Sequence, residues 1–511
     1  MFKRLLTVAG FTALSRATGY LRDIIMNFVL GAGPMSDAFM VAFRLPNNFR
    51  AIFGEGAFNA AFLPRFAKLR TQEGPEAADR FADGVYSWQI VVQLVLLIAA
   101  LIGMRYVITA LAPGFKANPG EFDLATALTR VTFPYLIMTV SSVQLSAMLN
   151  AVEKFAAAAA WSILLNLTMM ATLLLAHWFP NAAYAAAWGV FLGGVAQLGF
   201  IAWAAAKSHL RLRIRLPRWT PQIREFLWAL GAATVGSASF QISVLVDTFL
   251  ASYLLNGPTA LYYADRINQL PSGVLAIAMG TVLLPEMSNL LAKGDLAGAH
   301  AAQNRAAALV LFLTLPFAAV FFAVPMTIMH GLFPHVAADP TAGPMAAAAI
   351  AAYGAGLPAV VLVRIVSATF YARGDTATPV RATILAVALN IAMKIALVWG
   401  AGMGVMGIAL GTSFGGWVNV GMLVWMARHR ALLSVGPDFK RSLRPTVIAA
   451  ACVGVGALVG SELGARLVPK LGLLHDESAL GLAVAIGGLL YLVIAAIFHK
   501  SLPLERLRRR A

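Results

Sequence analysis

The sequence predicts an all-α integral membrane protein of about fourteen transmembrane helices, and three observations lead there. Hydrophobic residues make up 60% of the 511 residues and charged residues only 12%, with a mean hydropathy of +0.77, outside the range of soluble domains. Apolar runs of about 20 residues recur from end to end, each long enough to cross roughly 30 Å of hydrocarbon as a helix. The chain also matches itself at an offset of about 222 to 225 residues. Leu45-Pro46 pairs with Leu270-Pro271, and Leu63-Pro64 with Leu284-Pro285 after a gap of one helical turn. Pro134 pairs with Pro358, Leu165-Asn166 with Leu389-Asn390, Gly193-Gly194 with Gly415-Gly416, and Trp203 with Trp425. Each repeat holds six spans, an even number, so the copies share one orientation and are expected to be related by an axis along the membrane normal. The expected division is an N-terminal six-helix lobe at 1–207, a basic cytoplasmic linker at 208–223, a second six-helix lobe at 224–430, and two extra helices with a basic tail at 431–511.

The first span, "LSRATGYLRDIIMNFVLGAG" from Leu14 to Gly33, carries Arg16, Arg22 and Asp23 in its interior. Lys3 and Arg4 before it give it the look of a signal peptide, but the charged interior and the missing small-residue cleavage site argue that it is retained. At 100° per residue Arg16 falls in line with Asp23, and Ser15 with Arg22, which makes one broad polar face. The second span adds Asp37, Arg44, Arg50 and Glu55, and is interrupted by Pro46, Gly54, Gly56 and Pro64. Such breaks serve as hinges or as packing features. In the third and fourth spans Arg105 and Arg130 are expected near span ends, within reach of the interface. The linker segment "HLRLRIRLPRW", His209 to Trp219, alternates charged and apolar residues and reads as a basic linker or an interfacial strap.

In the second repeat, the eighth span carries Asp265 and Arg266 and the breakers Pro271, Gly273, Gly280 and Pro285. Arg364 in the tenth span either lines the second-lobe side of a cavity or pairs locally. "YARGDTATP", Tyr371 to Pro379, reads as a helix stop followed by Thr378 as N-cap and Pro379 at the first helical position. Asp247 in the seventh span and Asn390 with Lys394 in the eleventh suggest an ion pair or a cation site, and the ammonium, being a built-in cation, favours the Asp247–Lys394 pair. The single cysteine, Cys452, excludes a disulfide framework and a thiolate metal centre.

An Arg in mid-span costs about 2.5 to 3.5 kcal/mol, so each should face a cavity, a partner or a function. Arg16, Arg22, Arg44, Arg50 and Arg266 outnumber Asp23, Asp37, Asp265 and Glu55, and some of these carboxylates lie beside an Arg in sequence rather than facing one. The alternative is that the charges pair off to hold helices together. The reading preferred is a cationic cavity fed by both repeats, and guanidinium suits phosphate because its planar donors meet oxygens in pairs and keep their proton.

The net charge of +17 resolves into a topology. Lys and Arg crowd the chain start, the even-numbered connections and the tail, whereas odd connections hold few, Lys116 and Lys470 being the clearest exceptions. By the positive-inside rule both termini are cytoplasmic. The basic excess therefore reports orientation and attraction to anionic membrane lipids rather than nucleic acid as a partner. There is no GxxxxGK[ST] phosphate loop and no HExxH, and neither cofactor nor metal is expected.

"SRATGYLRD", "GAGPMSDAFMVAFRLPNNFRAIFGEGAFNAAFLP" and "YYADRINQLPSGVLAIAMGTVLLP" closely resemble the MurJ (MviN) family of lipid II flippases, of the multidrug/oligosaccharidyl-lipid/polysaccharide exporter superfamily. The resemblance covers essentially all the spans and is weakest in the last two. It implies transport of the undecaprenyl-diphosphate-linked peptidoglycan precursor from the inner to the outer leaflet of the bacterial inner membrane by alternating access. It places the family's cavity arginines on Arg16, Arg22, Arg50 and Arg266, with Asp37 and Glu55 as supporting acids. Ser15, Asp23, Arg44, Asp265 and Arg364 complete the expected surroundings. One departure is that many relatives carry two basic residues before the "IF.EGAF" stretch, where this chain has Arg50 followed by Ala51. The resemblance also implies a monomer whose partners are lipid II, membrane lipids and the cell-wall synthesis machinery, with the extra helices bordering a groove for the polyprenyl tail. Competing readings are an exporter of another lipid-linked oligosaccharide, a polyprenyl-phosphate glycosyltransferase, and a scaffold. The enzyme would need catalytic carboxylates in a large outer loop, and the odd connections are short and nearly uncharged.

Overall fold

A computed structural model describes residues 2–54, 57–467 and 475–498, and regular structure among them is entirely helical. Close packing divides the chain into two compact units, Met1–Pro258 and Thr259–Ala511. The first contains α1 (Phe2–Leu30), α2 (Pro34–Gly54), α3 (Ala57–Gln72), α4 (Pro75–Ile102), α5 (Met104–Leu111), α6 (Pro119–Thr132), α7 (Tyr135–Ala151), α8 (Phe155–Leu174), α9 (Ala182–Lys207) and α10 (Pro221–Ala251). The second contains α11 (Gly257–Ala292, its first residues before the division), α12 (Leu296–Ala323), α13 (Pro325–Leu332), α14 (Pro334–Ala337), α15 (Ala342–Tyr371), α16 (Ala377–Ile395), α17 (Gly404–His429), α18 (Pro437–Leu467) and α19 (His475–Ile497).

Ten described segments are long and apolar enough to cross a membrane: α4, α6 with α7, α8, α9, α12, α15, α16 with the turn that extends it to Gly400, α17, α18 and α19. The sequence reading counts α1, α2 with α3, α10 and α11 as well. These four carry mid-helix charges, among them Arg16, Arg22, Asp23, Arg44, Asp247, Asp265 and Arg266.

The expected helix breaks are unequal between the repeats. Pro46 lies inside α2 and Pro64 inside α3, and residues 55–56 between the two helices, Glu55 among them, lie outside the described residues. In the second repeat, α11 runs continuously through Pro271 and Pro285. Likewise α6 stops at Thr132 before Pro134, whereas α15 continues through Pro358. Proline removes one backbone hydrogen bond, which a packed helix can tolerate when neighbours satisfy the freed carbonyl. The same residue therefore gives a break in one repeat and none in the other.

The first unit is closed by an aromatic ladder. Phe58 stacks on Phe62 (5.1 Å), Phe62 on Phe66 (5.4 Å) and on Phe81 (5.6 Å), and Phe226 of α10 meets Phe58 and Phe81 edge-on. Ile223 and Phe226 thus carry the start of α10 into the first unit, although the repeat assigns that helix to the second lobe. The segment before α10 is an extended strap pinned to α4. The buried Asp83 accepts from the Arg213 backbone (2.8 Å) and from Arg215 Nε (2.8 Å), Ser87 Oγ accepts from the Arg215 backbone (2.9 Å), and Trp88 meets Trp219 edge-on.

In the second unit, α11, α12 and α15 share a core of Leu283, Met287, Val310, Val361 and Ile365. The last two helices join it through Phe312 of α12, which stacks on Tyr491 at 4.8 Å. Gly456, Gly460 and Gly464 line the α18 face against α19, where a methyl group would press on Leu490, Leu482 and Ala479. Small residues at this spacing let membrane helices approach closely.

Candidate functional site

The polar face of α1 is held from α8. Asn166 Nδ2 donates to the Ser15 carbonyl and to Thr18 Oγ1, each at 3.1 Å, and Ser15 Oγ lies 3.0 Å from Ser162 Oγ. Arg22 donates through Nη1 to Asn166 Oδ1 (3.1 Å) and through Nε and Nη2 to Asp23 Oδ1 (3.0 and 2.6 Å), and its guanidinium sits 5.9 Å from the Phe43 ring centre. Arg22 and Asp23 are both buried. The expectation that a carboxylate beside an Arg in sequence does not face it is therefore corrected here. With water excluded, the nearest compensating charge is the neighbouring one, and the flexible arginine folds back to reach it. Asn166 is the residue that sequence reasoning passed over as a ligand of this face, although its repeat partner Asn390 had marked it.

Arg16, six residues before Arg22, is exposed, and among the described residues its side chain makes no ion pair or hydrogen bond. Asp37 is buried in the first turn of α2. Further along α2, Arg44 Nε donates to Thr248 Oγ1 of α10 (3.2 Å), and Arg50 donates through Nε and Nη2 to Asn47 Oδ1 (3.2 and 3.1 Å). Asp247 is buried next to Thr248 on α10.

In the second unit, Asp265 and Arg266 are half-buried on α11, and Gln269 Nε2 donates to Asp265 Oδ2 (2.7 Å). Arg364 on α15 is exposed and, among the described residues, without a side-chain partner. Lys394 is 0% exposed and Asn390 is buried one turn away. Both fit because the facing helix α17 has glycine there: a methyl at Gly415 would press on Asn390 and one at Gly411 on Lys394. Gly193 and Gly189 of α9 meet Leu165 and Met169 of α8 in the same way in the first unit. The start of α16 differs from its reading. The helix begins at Ala377, and the cap is Asp375, which accepts from the Thr378 amide (3.0 Å) and hydroxyl (2.6 Å) and pairs with Arg430 at 2.9 Å. These donors hold the Asp375 carboxyl below the usual carboxylate range.

The family model described as lipid II flippase MurJ matches residues 26–472. A Rhizobium tropici protein named "Probable lipid II flippase MurJ" is 36% identical over 505 residues, covering 97% of this chain and 94% of its own. The lipid II flippase MurJ of Burkholderia cenocepacia is 32% identical over 453 residues, covering 86% of each. Among solved structures, a lipid II flippase MurJ in an inward closed conformation superposes with a TM-score of 0.79 at 22% identity, covering 96% of this chain and 98% of that one. An inward-facing MATE family transporter of the MOP superfamily gives 0.69 at 16% identity over 82% and 95%, which is a likeness of fold. By the span of the family match and the identity to its curated members, this chain belongs to the MurJ family of lipid II flippases, a family of membrane transporters and not of enzymes.

Proposed function

We propose that this chain moves lipid II from the inner to the outer leaflet of the bacterial inner membrane by alternating access. The single observation that carries the reading is the family match over residues 26–472, from the end of α1 to beyond α18. In this reading α1, α2 with α3, α10 and α11 also span the membrane, both termini are cytoplasmic by the charge distribution, and the chain works as a monomer beside the cell-wall synthesis machinery. The diphosphate is received by basic groups of both repeats. Arg16 and Arg364 support this directly, being exposed arginines at mid-helix positions whose cost an anionic guest would offset. Arg50 and Arg266 join them, with Asp37 and Glu55 limiting the net charge. Arg22, committed to Asp23 and Asn166, positions α1 so that Arg16 presents outward from the α1–α8 interface. Lys394, with Asn390, serves as a fixed cation, and Asp247 is its proposed counter-charge by repeat position, since it stands where Asp23 stands in the first copy. Outward movement of each net negative charge gains about 2.3 kcal/mol per 100 mV of inside-negative potential.

The test uses purified full-length protein in vesicles with labelled lipid II, scored by accessibility of the headgroup on the opposite leaflet. The wild type transfers the lipid and Arg16→Ala slows transfer by about tenfold or more, the loss of a charge-assisted phosphate contact. Transfer no faster than in protein-free vesicles, or equal transfer of a neutral lipid-linked sugar, overturns the reading.

A further inference from the structure

The outer connection after α4 breaks the rule that odd connections carry few basic groups. Arg105, Lys116 and Arg130 all line one cavity of about 490 Å³ within the first unit, together with Tyr106, Phe122 and Asp123. Arg105 is steadied by Asp123 (3.1 Å) and by the Phe122 ring (5.3 Å). Lys116 and Arg130 are exposed, and among the described residues neither makes a side-chain ion pair or hydrogen bond. Three cations therefore face one carboxylate, while the nearby Glu121 accepts from Asn118 instead (3.4 Å).

The site is built rather than collapsed by chance. The loop bearing Lys116 is fixed by Gly114, whose amide donates to Ser252 Oγ at 3.1 Å and whose missing side chain lets the loop lie directly on the Ser252 backbone. Arg130 stands eleven residues beyond Pro119, about 16 Å along α6 at 1.5 Å per residue, so the cavity extends from the loop along α6. Ile102 and Tyr106 at its edge are 81% and 82% exposed, an apolar rim beside a cationic slot.

We infer that this cavity binds the phosphate headgroup of an anionic lipid of the outer leaflet, with the chains leaving over Ile102 and Tyr106. A compact free anion would need neither the length nor the apolar rim, whereas a lipid phosphate uses both and supplies a counter-charge to Lys116 and Arg130. The assignment to the outer leaflet rests on the orientation proposed above.

A photo-crosslinking residue at Tyr106 in the full-length protein, reconstituted in vesicles of phosphatidylglycerol or of phosphatidylcholine alone, reads the site directly. Capture of phosphatidylglycerol is expected to exceed that of phosphatidylcholine, and to fall about fivefold in Lys116→Gln and about 25-fold in Lys116→Gln/Arg130→Gln, taking the usual worth of a basic group at an anionic surface. The single variant alters an exposed side chain and keeps the test valid if the double variant folds poorly. Equal capture of both lipids, or capture unchanged in Lys116→Gln, overturns the proposal. Competition by inorganic phosphate at lower concentration than the lipid would make this a free-anion site and overturn the lipid assignment. Labelling of Lys116→Cys by an impermeant thiol reagent on intact cells is expected, and its absence would remove the outer-leaflet placement without touching the transport reading, which the lipid II assay decides.

Discussion

At the scale of single residues, the two arginines of α1 have opposite fates. Arg22 is buried with its charge neutralised by Asp23 and oriented by Asn166, whereas Arg16 is exposed with its donors free for a guest. Removing one member of a buried pair leaves an uncompensated charge and costs about 3–5 kcal/mol. Asp23→Ala should therefore lower the thermal midpoint strongly, while Arg16→Ala, touching no packed partner, should change stability by no more than about 0.5 kcal/mol yet slow transport about tenfold or more. Thermal unfolding of the detergent-solubilised variants checks both; equal destabilisation by the two would contradict the division of roles. The sequence made the polar face of α1 legible through its 100° spacing. It could not show which arginine turns inward, because residue spacing places a Cα on a face and a long flexible side chain then chooses its own partner.

At the scale of elements, the most legible features were those set by backbone chemistry and the least legible those set by neighbours. Apolar periodicity placed the long helices, but whether Pro134 or Pro358 ends a helix depends on what satisfies the freed carbonyl, which one segment does not encode. The start of α16 is a second instance: Thr378-Pro379 resembles a cap, but Asp375 takes the amide. Since the folded state lowers the Asp375 pKa, its contribution is present at neutral pH and is lost as pH falls through and below the ordinary carboxylate range. Asp375→Asn should flatten that part of the acid-unfolding profile; an unchanged profile would deny the cap its role. The strap on α4 gives another check. Asp83→Ala leaves the Arg213 amide without its acceptor at a cost of about 1–3 kcal/mol, so trypsin should cut between Arg211 and Arg218 faster than in the wild type, and an equal rate would mean the strap is held by other contacts. Gly460→Leu should separate α18 from α19, measured as a lower thermal midpoint, because a side chain there would occupy the space of Leu482 and Ala483.

At the scale of the whole molecule, the duplication read from the sequence reappears as repeated packing within each unit. Glycines of α9 lie against α8 around Leu165 and Met169, and glycines of α17 lie against α16 around Asn390 and Lys394. The repeats share this framework and differ in the charge placed on it: Met170 in the first copy corresponds to the buried Lys394 in the second. Gly411→Leu should therefore disturb Lys394 and lower both stability and transport, whereas Gly199→Leu, with open space at its Cα, should leave both near wild type. The most direct measurement of the central claim is made in bacteria depleted of their own lipid II flippase and complemented with this chain or with its Arg16→Ala variant at equal membrane level, scoring outer-leaflet lipid II with an externally added probe. The account predicts that the wild type restores exposure and the variant does not. Restoration by the variant to the wild-type level would contradict the role given to the arginines, and failure of the wild type itself would contradict lipid II as the cargo.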